Sequence, residues 1–147
     1  MRQSLRKSRS VLFVGLPAVL LACGSSTTTP SGNSAAGSYT AFSFVTTGNA
    51  GQRNEILAGS TLVLSLNADG TTSGHLHIAA SGANPAFDAD MAGTWTQTGL
   101  TVNISQSADT FVRNMPFSMS FDAAGGWDLF GDAVYSSTRI QIVLKPR

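Results

Sequence analysis

In run after run between residues 42 and 144, large apolar side chains recur at every second position, and glycine, asparagine and aspartate separate the runs. A period of two belongs to an extended strand with one buried face, whereas a helix would repeat every three to four residues. Phe42 and Phe44 open the series. Leu62, Leu64 and Leu66 lead into Asn67-Ala68-Asp69-Gly70, a tight-turn sequence, and Leu76 and Ile78 carry the same inward face on the returning strand. Met91, Gly93 and Trp95 mark the next strand, which turns at Gln97-Thr98-Gly99 into Leu100, Val102 and Ile104. Met115, Phe117, Met119 and Phe121 then alternate with Pro116, Ser118 and Ser120. Pro116 lacks a ladder donor and predicts an edge or a bulge. Beyond the turn from Asp122 to Gly126 come Trp127 and Leu129, and Ile140, Ile142 and Leu144 end the pattern. Residues Thr47 to Gly59 break the alternation and predict a loop, with a short strand or helical turn around Ile56.

About eight strands joined by short turns must lie as sequential antiparallel neighbours. A Greek key needs a long crossing connection, and none is visible after residue 60. The sequence therefore predicts an all-β, up-and-down meander closed into a barrel, since closure removes the two open edges of a flat sheet. The spacing LxLxxDGxxxGxLxI, followed by Gly93-Thr94-Trp95 before a turn and by a last strand of alternating aliphatics, resembles the small lipocalin-like barrels of bacterial lipoproteins. That resemblance rests on spacing and on Asp69, Gly70, Gly93, Thr94 and Trp95. It implies a barrel able to hold a small hydrophobic ligand.

The N-terminus reads as an address. A basic stretch from Met1 to Arg9 precedes the apolar run Val11 to Leu21, in the order of a secretory signal. Eleven apolar positions fall short of the ~20 needed to span a bilayer. Leu20-Leu21-Ala22-Cys23 resembles the bacterial lipobox, which implies cleavage before Cys23, acylation of that cysteine and a lipid anchor in the cell envelope. Gly24, by the sorting rule of enteric bacteria, implies the outer membrane. Cys23 is the only cysteine, so no disulfide forms within one chain. The stretch from Gly24 to Ser38 has no charge and no large apolar group, and predicts a flexible tether. The expected organisation is a signal peptide over 1–22, lipidated Cys23 and tether over 23–38, and a barrel over 39–147.

Charge excludes one class of partner. Four of the nine basic residues lie in the first ten positions, and without them five basic groups face eight acidic ones. A nucleic-acid partner requires a basic face, so none is expected. Reactive side chains are also scarce: lysine occurs at 7 and 145, glutamate at 55 and histidine at 75 and 77. Neither a nucleophile elbow nor a phosphate or dinucleotide loop is present, so an enzyme is not expected, nor is a cofactor.

Two constellations carry the remaining chemistry. His75 and His77 share the outer face of one strand, opposite Leu76 and Ile78. A hairpin through Ser81-Gly82-Ala83-Asn84-Pro85 would set His77 near Asp90, and His75, His77 and Asp90 would then form a donor set for Zn²⁺ or Cu²⁺. The simpler reading is a solvated face with one His–Asp pair. Trp95, Phe117, Phe121 and Trp127 are expected inside, where they would line a ligand cavity or fill a core, because an eight-stranded barrel is just wide enough for either. The sequence thus leaves two functions open: an envelope lipoprotein that binds a small hydrophobe, or a structural or protein-interaction module with a packed barrel.

Overall fold

The computed structural model describes residues 34–107, 113–123 and 125–147. Cys23, the expected signal peptide and the tether as far as residue 33 lie outside them. Ten strands follow in chain order: β1 (Gly37–Gly48), β2 (Gly51–Asn54), β3 (Thr61–Leu66), β4 (Thr71–Ile78), β5 (Phe87–Asp90), β6 (Gly93–Thr98), β7 (Thr101–Gln106), β8 (Pro116–Phe121), β9 (Trp127–Tyr135) and β10 (Thr138–Pro146). Among the described residues there is no helix.

Eight strands form a closed antiparallel up-and-down barrel in the order β1, β3, β4, β6, β7, β8, β9, β10, and β10 pairs back with β1. β2 and β5 are additional. β5 and β6 lie against β4 in one common register, Leu76 opposite Ala89 and Thr72 opposite Gly93. Between them Met91 turns its side chain fully into the core while its amide still donates to the Gly74 carbonyl at 3.0 Å. The predicted irregular stretch from Thr47 to Gly59 contains β2, hydrogen-bonded to β1, and a turn that places Ile56 against the core.

Three strand details differ from the sequence expectation. The register of β1 against β10 slips between Ala41 and Ser43, so Phe42 is the extra residue of a bulge; it stands 68% exposed, and Phe44 alone takes the inward place. Pro116 is the first residue of β8, where a missing donor is tolerated, and β8 is not an edge. The first strand also starts before Tyr39: β1 begins at Gly37, and Ala35 is fully buried. The Ala35 amide donates to Gln97 Oε1 at 2.9 Å, and its carbonyl accepts the Tyr39 hydroxyl at 2.7 Å.

The core is the barrel interior. Phe44, Leu62, Leu64, Leu76, Val102, Phe117, Leu129, Ile142 and Leu144 are fully or almost fully buried there, each on the inward phase of its strand. Two inward positions must be glycine. A Cβ on Gly74, whose φ is +137°, would lie 2.1 Å from the Val63 carbonyl oxygen, and one on Gly93 would lie 2.2 Å from that of Ser105. These close backbone approaches are the tight bends that let short strands coil into a barrel.

Candidate functional site

Of the four aromatics expected to line a cavity, Phe117 lies at the centre of the core and is fully buried. Trp95 and Trp127 are partly buried against the same core, and the Trp95 indole donates to the Asn67 carbonyl at 2.8 Å. Phe121 departs from expectation. It keeps the inward phase of β8 but forms the last pair of the β8–β9 ladder, opposite Trp127, where it is 62% exposed with its ring edge-on to Trp127 at 5.3 Å. The four therefore do not surround one space. Their positions run from mid-core to the rim.

The interior is filled beside Gly131 of β9. A Cβ on Gly131 would come within 2.8 Å of the Phe117 ring and 2.5 Å of Met115 Sδ, so those two side chains occupy the room that the glycine leaves. Antiparallel order sets the start of β1 at one end of the barrel with the ends of β6, β8 and β10. Ala35 sits at that lower end, held by Gln97 and Tyr39. At the upper end Glu55, buried although charged, accepts hydrogen bonds from Thr46 Oγ1 at 2.7 Å and Ser60 Oγ at 3.0 Å. Arg53 pairs with Glu55 at 3.4 Å and donates to the Ala79 and Ala80 carbonyls. This network seats the turn that carries Ile56. Sequence reasoning missed it, and the only signal was a lone glutamate in a stretch without strand periodicity.

The histidine cluster forms, with a different carboxylate at its centre. His77 faces Asp88 across the β4–β5 ladder and His75 faces Asp90, two residues away from the expected pairing of His77 with Asp90. The reason is the turn, which tightens through reciprocal Ser81–Asn84 backbone hydrogen bonds and thereby sets the register. Asp88 Oδ1 lies 2.8 Å from His77 Nδ1 and 2.9 Å from His75 Nε2, and Asp90 stands 3.6 Å from the other nitrogen of His75. Hydrogen bonds from His77 and His75 hold the Asp88 carboxyl below its usual range. Both rings spend a nitrogen on one carboxylate oxygen. Among the described residues no group of three or more His, Cys, Asp and Glu side chains is arranged to hold a metal ion, so the donor set His75, His77 and Asp90 is not assembled.

A second polar cluster lies on the outer wall near the lower rim. Lys145 bridges Asp122 at 2.8 Å and Asp128 at 3.6 Å, and its ammonium sits 4.9 Å from the centre of the Phe42 ring. Asp122, then Asp128, raise the lysine above its ordinary range. With Gly125, Gly126 and Pro146 these groups line an open cleft of about 390 Å³. Among the described residues that line it, the ammonium and the two carboxylates are engaged with one another.

No family model, curated protein or solved structure matches the chain.

Proposed function

We propose that this chain is a non-enzymatic lipoprotein of the bacterial cell envelope, held at the outer membrane by acylated Cys23, and that its barrel is a filled scaffold acting through its outer surface and rims. The supporting observation is the interior: Phe117 and Met115 take the space beside Gly131, and Ala35 and the Ile56 turn sit at the two ends. A carrier of the same size would leave inward positions small, because an eight-stranded barrel holds either its own side chains or one ligand. The lipobox-like Leu20-Leu21-Ala22-Cys23 supports the anchor. The scarcity of reactive side chains and the salt-bridged state of the rim carboxylates support a role without catalysis.

Titration of the soluble domain with fatty acids and apolar fluorescent probes, read by tryptophan fluorescence, tests the scaffold reading. No saturable change is expected. Stoichiometric, saturable binding of any of these hydrophobes would overturn it in favour of a ligand carrier. Mass spectrometry of membrane-extracted protein tests the anchor and should find a lipid adduct on a peptide beginning at Cys23.

A further inference from the structure

The lower rim, where Ala35 leaves the barrel, also carries exposed apolar side chains. Leu100 in the β6–β7 turn is 53% exposed and Phe121 at the end of β8 is 62% exposed. The two belong to neighbouring strands, since the Met119 amide donates to the Leu100 carbonyl at 2.7 Å. Trp127 lies edge-on to Phe121. Leu100 and Phe121 stay exposed among the described residues, although each continues the inward phase of its strand, while Trp127 packs partly against the core beneath them.

We propose that this rim docks on the bilayer that holds the anchor, with Leu100 and Phe121 inserted at the level of the lipid headgroups and Trp127 just above them. The proposal rests on the anchor reading. Chain length selects the occupant: Ala35 stands twelve positions after Cys23, a reach of at most ~43 Å fully extended and about 20 Å as a flexible coil. Ala35 is fixed at the lower mouth, so a tether coiled over about 20 Å keeps that rim toward the membrane, because presenting the upper rim would take about 30 Å, the rise of a nine-residue strand such as β9. Aromatic and aliphatic side chains on a tip are what an interface accepts. The charges at this end are Asp69, Asp122 and Asp128 against Lys145 and Arg147, with Lys145 already paired, so a zwitterionic surface fits and an anionic one does not. Apolar contact then adds to the acyl anchor in holding one orientation.

The test uses the lipidated full chain with Trp95→Phe, which leaves Trp127 as the sole indole, in phosphatidylcholine vesicles whose acyl chains carry bromine near the headgroup. Trp127 fluorescence should be quenched. Leu100→Ser with Phe121→Ser should abolish the quenching while the protein still floats with the vesicles, and Leu57→Ser, at an 85% exposed leucine in the upper turn, should leave it intact. A lipidated, floating chain with unquenched Trp127 would overturn the docking alone. A chain without lipid at Cys23 would overturn the anchor reading and the docking together.

Discussion

Phe117 and Gly131 stand opposite each other in the β8–β9 ladder, and the ring edge lies 2.8 Å from where a Cβ on Gly131 would be. The missing side chain of one residue is thus the packing space of the other. Gly131→Ala should destabilise the domain by about 1–3 kcal/mol through overpacking. In a domain of this size each kcal/mol shifts Tm by about 4–8 °C, so thermal unfolding resolves the effect. Adding Phe117→Leu should recover part of the loss, making the double variant more stable than the summed single effects. Strict additivity would show that the two do not share the space.

Gly74 and Gly82 both hold positive φ, at +137° and +56°, but only Gly74 has backbone in the place of a side chain. Gly82→Ala should cost about 1 kcal/mol, that of a left-handed non-glycine residue. Gly74→Ala collides with the Val63 carbonyl and should yield no soluble folded domain. Comparing the two by soluble expression and circular dichroism separates conformational strain from collision. Equal behaviour would discount the close approach of β3 and β4.

The Tyr39 hydroxyl is buried on the Ala35 carbonyl, and that burial, followed by the nearby Asp128 charge, raises the phenol above its ordinary range. Tyr39→Phe leaves a buried carbonyl without its donor and should cost about 1–3 kcal/mol. Amide exchange should show the loss first at Ala35 and Ala36. Unchanged exchange at Ala35 would mean that Gln97 alone holds it.

Asp69, Asp88 and Asp132 are each held below the usual carboxylate range, by Thr71, by His77 and His75, and by Arg139 respectively. Their protons bind more tightly in the unfolded chain, so it takes up more protons in acid and stability rises with pH through this range. The contribution is complete above the unfolded carboxyl value of about 3.9 and is lost as pH falls through the lower folded values. Urea midpoints measured from pH 5 to pH 2 should fall steadily, and Asp88→Asn should flatten part of that slope. An unchanged slope would discount the two imidazole hydrogen bonds.

Strand periodicity made most of the barrel legible, because each inward residue from Leu62 to Leu144 had to repeat at two. What it could not give was anything set by a slip in phase. Phe42 carries the same alternation as Phe44, and only the ladder with β10 reveals that one extra residue intervenes. The pairing of His77 with Asp88 depends on how tightly residues 79–86 turn, which no apolar pattern encodes. Phe121 was misplaced for a further reason: phase says which way a side chain points, but not where the barrel ends. The bounds of β2 and the role of Glu55 were not legible within the irregular stretch, because a strand of Gly-Gln-Arg-Asn has no apolar face to read.

β1 pairs with β10 through eight residue pairs and with β3 through four, and the chain toward Cys23 leaves from its lower end. Hydrogen bonds in such ladders run across the strand direction. A pull delivered from the N-terminal side is therefore directed along β1 and loads both ladders in shear, so that many bonds must yield together and none can be unzipped singly. The strand that seals the barrel is also the one that such a pull would load, and its geometry makes it a mechanical clamp.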